Sequence, residues 1–194
     1  MKLSILGDSI PNGFGVGKEH SFVNIKNKDI IVKNYAENGL TSLLTLNRAI
    51  LATDSDIVFI YTGINDFLNG ISLRSVCINI LKITDMAKKN NIIPVIGIPH
   101  EITDDSCSGW CNDVNYISSL DKLNMFRDFI IFTSSKEKFY YIDFNKALKE
   151  HALNLKINYD ELFFDGVHPN YRTHEYMRKI FSENINKIIE ENEL

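Results

Sequence analysis

Five short apolar runs, residues 3–6, 30–35, 57–61, 92–98 and 139–142, recur along the chain, and the segments between them carry helical or loop character. Runs such as Ile-Val-Phe-Ile-Tyr at 57–61 have no polar alternation, which suits parallel strands covered on both faces. Strand and helix alternating five times argues for an α/β fold: a parallel sheet with helices on both faces and right-handed crossovers. A chain of 194 residues, 44% of them hydrophobic, can bury one sizeable core, so a single domain over residues 1–194 is expected.

Helices are expected at residues 21–28, at 41–53 with Leu43, Leu46 and Ile50 at helical spacing, and at 72–90 with Val76, Ile80, Ile83 and Ala87. Three more are expected at 114–138, at 143–152, and at 171–191 with Met177, Ile180, Ile185 and Ile188 inward. Residues 99–112 form a connection longer than the ~4–6 residues usual in α/β folds, a length typical of lids and binding elements. Residues 159–170 read as irregular.

The net charge of −4, from 21 basic and 25 acidic residues, leaves no electrostatic footprint for nucleic acid or an anionic membrane. No apolar run approaches the roughly 18 residues of a spanning helix, and residues 3–6 fall short of a signal-peptide core, so a soluble, unexported chain without stable membrane insertion is expected. Cys77, Cys107 and Cys111 make an odd count with no disulfide framework, which points to a reducing, cytoplasmic compartment. The oligomeric state is left open.

Three strand ends carry unusual polar turns: Gly7-Asp8-Ser9, Asn38-Gly39 and Gly63-Ile64-Asn65-Asp66. In a parallel sheet these open on one edge, where α/β folds build their sites. Pro11, Gly13, Gly15 and Gly17 follow Ser9 closely, so a loop is expected there before any helix begins. Asp165-Gly166-Val167-His168-Pro169-Asn170 stands before the last helix, and an Asp and His three apart in a turn can face one another. A serine hydroxyl is a weak nucleophile that needs an adjacent base and a group to orient that base. Ser9, His168 and Asp165 supply these roles. The Ser9 and Gly39 N–H groups and the Asn65 amide are candidate oxyanion donors.

These four blocks resemble those of the SGNH (GDSL-type) esterases and lipases. The match is carried by Ser9 in Gly-Asp-Ser-Ile, Gly39 in Asn-Gly-Leu-Thr-Ser, Asn65 in Gly-Ile-Asn-Asp and His168 in Asp-Gly-Val-His-Pro, all in the family's order. Ile10 departs from the family's usual Leu after the serine, and Leu40 stands where many members carry a polar residue. The resemblance implies a five-stranded three-layer α/β/α sandwich with flavodoxin-like strand order. It also implies ester hydrolysis through a serine acyl-enzyme, on a small-molecule ester, with no metal or other cofactor.

Asp8 and Asp66 read as turn stabilisers. His20, His151 and His174 read as surface or satisfied core groups, and His100 is set apart only because it begins the long loop. Cys107 and Cys111 read as free thiols. Phe14, Phe67 and Trp110 are candidate substrate-binding residues, and Phe163 and Phe164 lie beside the last block. Trp110 has two readings, closure over substrate or anchorage of its loop on the core. Two rival functions use the same residues: a metal-dependent phosphoesterase holding its ion with Asp8, Asp66, Asp165 and His168, and a catalytically silent binding module.

Overall fold

A computed structural model describes residues 1–194, and in it all five apolar runs become strands of one parallel sheet: β1 (Lys2–Gly7), β2 (Ile31–Asn34), β3 (Ile57–Tyr61), β4 (Ile93–Ile98) and β5 (Tyr140–Asp143). Their order is β2-β1-β3-β4-β5, the expected flavodoxin-like arrangement. Every residue of β3 is buried, as the unbroken apolar run requires of a strand covered on both faces. In the register Gly7 pairs with Tyr61, so the polar turns that follow β1 and β3 emerge side by side.

The helices are α1 (Ser9–Asn12), α2 (Ser42–Asn47), α3 (Ile64–Leu68), α4 (Leu73–Lys89), α5 (Asp113–Glu137), α6 (Phe144–Leu155) and α7 (Tyr171–Glu191). Helices α2, α4 and α5 form one outer layer, and α6 packs with α7 in the other. Ser72 caps α4 by accepting from the Ser75 N–H at 3.2 Å, and Lys88 and Lys89 close the helix with favourable charge. On its inner face lie Val76, Ile80, Ile83 and Ala87, as the periodicity predicts. Under α6 and α7 the core is aromatic: Phe22, Phe59, Tyr61, Phe144 and Phe181 meet at centroid separations of 4.7–6.4 Å.

Three expectations fail for tertiary reasons. No α-helix forms over residues 21–28. Instead Phe22 is drawn fully into the aromatic core, and partners from elsewhere in the chain satisfy the local polar groups. The Phe22 N–H donates to His174 Nδ1 at 3.2 Å, Arg178 donates to the His20 and Ser21 carbonyls, and Ser21 Oγ donates to the Pro11 carbonyl. Helix α2 stops at Asn47, and a short 3-10 turn over Ala49–Ala52 follows. The buried set is Ser42, Thr45, Ala49 and Ala52, which leaves Leu43 and Ile50 outside at 53% and 63% exposure. Lastly, the serine turn is itself one helical turn, α1, with Pro11 in the first turn, where no intrahelical N–H is lost.

Candidate active site

Strand β1 delivers the serine. Gly7 lies so close to its neighbour that a Cβ there would strike the Tyr61 carbonyl oxygen and approach Pro11 Cγ at 2.7 Å, so only glycine lets the chain turn at this point. Asp8 then caps α1: its Oδ1 accepts from the Ile10 N–H at 3.1 Å. This is the stabilising role expected of it. Ser9 is the first residue of α1, a position whose N–H has no intrahelical partner. Ile10 is buried in the core.

The turn before α7 brings the candidate base. Ser9 Oγ lies 2.8 Å from His168 Nε2, and His168 Nδ1 lies 2.7 Å from Asp165 Oδ2. A carboxylate only accepts, so Nδ1 carries the proton and Nε2 is the acceptor facing the serine hydroxyl. Asp165 is held in turn, because its Oδ1 accepts from the His168 N–H at 2.7 Å and the Val167 N–H at 3.1 Å. Ser9 and His168 are 6% and 3% exposed. Burial lowers the pKa of His168 from its ordinary value while the Asp165 carboxylate opposes that shift, which favours a neutral imidazole.

Gly39 adopts φ +79°, and no atom lies within 4 Å of where its Cβ would be. Its N–H makes no hydrogen bond within the chain. Asn65, in the first turn of α3, donates one amide N–H to the Leu40 carbonyl at 3.0 Å, which leaves its second N–H available. This bond ties the β3 end to the glycine turn, and Asn12 Nδ2 ties α1 to the same turn through Asn38 Oδ1 at 2.7 Å. Asp66 accepts from both the Ser42 N–H (2.7 Å) and Ser42 Oγ (2.6 Å) and is fully buried. Burial raises its pKa and the two Ser42 bonds pull it back.

The aromatic candidates divide. Phe14 and Trp110 both border His168, at ring separations of 4.5 and 5.0 Å, and Phe164 stacks on it at 5.7 Å. Phe67 does not join them, because it is fully buried and packs edge-on against Phe126 as a core residue. Trp110 also donates its indole N–H to Asp165 Oδ2 at 3.0 Å, a contact that no local pattern signals. A hollow of about 500 Å³ lies against this pair, lined by Asp105, Ser108, Gly109, Trp110, Phe164 and Asp165.

His100 is more than the start of a loop. Fully buried, it places Nε2 2.8 Å from the Val167 carbonyl and Nδ1 2.8 Å from the Tyr61 hydroxyl. The carbonyl can only accept, so Nε2 donates and Tyr61 donates to Nδ1. Burial pulls the pKa of His100 down to about 4. The carboxylates offered for a metal do not converge: Asp8 caps α1, Asp66 holds Ser42, and Asp165 faces His168. No three His, Cys, Asp or Glu side chains cluster as a metal site. The three cysteines are free thiols.

Solved structures share this architecture. A member of the lipolytic protein G-D-S-L family from Veillonella parvula superposes with a TM-score of 0.78 at 21% identity, over 94% of this chain and 97% of the other. The psychrotrophic esterase EstA from Pseudoalteromonas sp. gives 0.69 at 19% identity, over 97% and 98%. A lipase/acylhydrolase from Enterococcus faecalis gives 0.72 at 18% identity, over 95% and 94%. The search of curated proteins returned no match. The model of the GDSL-like Lipase/Acylhydrolase family matches residues 5–176, a span that holds Ser9, Gly39, Asn65, Asp165 and His168, and the chain belongs to that family.

Proposed function

We propose that the protein is a serine esterase that hydrolyses small or soluble carboxylic esters, acyl or acetyl, through Ser9, His168 and Asp165. The observation that carries this reading is the unbroken chain of contacts, 2.8 Å from Ser9 Oγ to His168 Nε2 and 2.7 Å from His168 Nδ1 to Asp165 Oδ2. His168 takes the hydroxyl proton as Ser9 Oγ attacks the ester carbonyl, and Asp165 stabilises the imidazolium that forms. The negative charge on the former carbonyl oxygen is met by the Ser9 and Gly39 N–H groups and the free N–H of Asn65, donors worth about 2.7–4 kcal/mol each in related chemistry. His168 then gives its proton to the departing alcohol. Water, activated by the same imidazole, releases the acid and restores Ser9.

Phe14 and Trp110 beside His168 supply an apolar wall for the ester. No helix is long and apolar enough to cross a membrane. A single core cluster of 43 buried residues supports the reading of residues 1–194 as one domain. The free thiols fit a reducing, cytoplasmic compartment.

Two measurements test the assignment together. A fluorophosphonate should label the wild-type protein on Ser9, and Ser9→Ala should lose both the label and hydrolysis of p-nitrophenyl acetate while keeping its thermal midpoint. The Pseudoalteromonas esterase was solved inhibited by monoethylphosphonate, so a reagent of that class is the natural probe. Full activity in Ser9→Ala would refute the assignment. Because His168 must be neutral to accept the proton and its pKa is depressed, kcat/KM should rise with pH through a limb lying below 6.5 and then level off.

A further inference from the structure

The chain holds one tryptophan, and its indole N–H is committed to a triad carboxylate. Asp165 Oδ2 accepts from two donors, His168 Nδ1 at 2.7 Å and Trp110 Nε1 at 3.0 Å, while Oδ1 is occupied by two backbone N–H groups. Each lone pair of the carboxylate that faces the site is therefore spoken for. The indole ring also stands edge-on to the His168 imidazole at 5.0 Å and to Phe14 at 6.0 Å, although the residue itself is 44% exposed.

This placement is built into the backbone. The Trp110 and Cys111 N–H groups both donate to the Ser106 carbonyl, at 2.9 and 3.3 Å, and the Ser106 N–H donates to Thr103. Thr103 in turn donates its N–H to the Gly166 carbonyl at 2.8 Å, between Asp165 and His168. A Cβ on Gly166 would strike the Ser106 nitrogen, so the two loops are in backbone contact. The tryptophan loop and the triad loop thus hold each other in register, and the indole reaches Asp165 from a fixed base.

We infer that Trp110 is a positioning residue that sets the basicity of His168 by sharing Asp165 Oδ2 with it. The inference rests on the triad reading above. An indole N–H donating to the carboxylate draws charge away from the bond to His168 Nδ1–H, so the imidazolium is stabilised less than by an undivided carboxylate. Trp110 keeps His168 in the neutral, accepting form down to a lower pH. Removing the N–H returns that charge to the imidazole and makes His168 more readily protonated.

The groups around the triad do not confuse the readout. Asp8, the residue before Ser9, is raised by burial to about 7 and titrates near the acid limb of kcat/KM, but it is the same in wild type and in every Trp110 variant, so it cancels when their limbs are compared. His100, approaching from the end of β4, stays neutral down to about pH 4, and His174, on α7, down to about pH 3. Ser9 from α1 does not titrate in the working range, and Asp165 is the carboxylate under test. Asp105 shares the hollow with Asp165 and is left unsubstituted in every Trp110 variant.

The test compares kcat/KM against pH for wild type, Trp110→Phe and Trp110→Ala with p-nitrophenyl acetate, alongside fluorophosphonate labelling and thermal midpoints. The expected result is that Trp110→Phe, which keeps a ring and loses the donor, is still labelled while its acid limb moves up by roughly 0.5–1 pH unit. Activity at a pH below the limb then falls about 3- to 10-fold relative to wild type, with a smaller change on the plateau. Trp110→Ala also admits water to His168 and moves the limb at least as far.

Global replacement of tryptophan by a fluorinated analogue changes only this residue and makes the N–H a stronger donor. It should move the limb down, a readout that survives if the substitutions fail to fold. A labelled Trp110→Phe with an unmoved acid limb, or one altered only in KM, overturns the inference and leaves Trp110 as a loop anchor or substrate wall. A wild-type protein that takes no label, with Ser9→Ala fully active, overturns the triad reading itself and this inference with it.

Discussion

The Tyr61 hydroxyl meets His100 Nδ1 at 2.8 Å inside the core, and through His100 Nε2 this contact reaches the Val167 carbonyl, one residue from the proposed base. The central strand β3 thereby braces the turn that carries His168. Tyr61→Phe keeps the ring in its aromatic cluster and strips the buried imidazole of its donor, at a cost of about 1–3 kcal/mol. The thermal midpoint should fall, and kcat should fall with KM nearly unchanged, because His168 loses register more than the substrate loses contacts. A variant as stable and as fast as wild type would show that the brace is idle.

Asn65→Ala removes one proposed oxyanion donor. By the usual size of that effect kcat should drop about 10²–10³-fold with a small change in KM. Fluorophosphonate labelling should slow in parallel, since it passes through similar charge. The loss of the bond to the Leu40 carbonyl should lower stability by about 1 kcal/mol, which urea denaturation can separate from the kinetic effect.

Asp8 is completely buried with Oδ2 lacking any hydrogen-bond partner, and burial pushes its pKa up to about 7, with the nearby Asp66 adding to the shift. Since the folded pKa is raised above the ordinary value of 3.8, the stability this group contributes is fully present below about 3.8 and is lost as pH rises through about 7. Asp8→Asn keeps an oxygen for the Ile10 N–H and cannot ionise. Calorimetry should find it stabilising at pH 8 relative to wild type and much less so at pH 5. Equal effects at both pH values would contradict a buried acid.

His100 and His174 give the opposite slope. Both are buried, and burial depresses them to about 4 and about 3, so their contribution is present above the unfolded value near 6.5 and is lost as pH falls toward 4. Between pH 6.5 and 4 the two histidines outweigh the single gain from Asp8, for a net loss of up to about 1.4 kcal/mol per pH unit. Denaturant titrations at pH 7, 6 and 5 should show this decline, steeper in Asp8→Asn than in wild type. A flat profile would mean that the imidazoles find water or protons in the folded state.

Much of the fold was legible because it rests on local signals. The short apolar runs become the five strands, the periodic apolar set of residues 72–90 becomes the inner face of α4, and the last helix spans Tyr171–Glu191 as expected. The candidate site was legible for a similar reason: turns after parallel strands open on one edge, so Ser9, Gly39 and Asn65 had to approach one another. Asp165 and His168 share a turn of four residues, and their contact is nearly a local property.

What the sequence by itself determined, then, was the element pattern, the edge where chemistry gathers and the residues that could perform it. The tertiary structure alone decided the rest, wherever a residue's fate depends on partners far along the chain. Residues 21–28 give up a helix because Phe22 fills the core between β3, α6 and α7. Leu43 and Ile50 face outward because smaller neighbours let α2 and the turn after it pack closely, with Ser42 bound to Asp66. Phe67 falls on the buried side of α3, and His100 and Trp110 reach Val167 and Asp165, in the turn before α7, from 67 and 55 residues away. Periodicity and turn chemistry are read over a few residues, whereas burial and hydrogen-bond partnership across the sheet are settled only once the layers close.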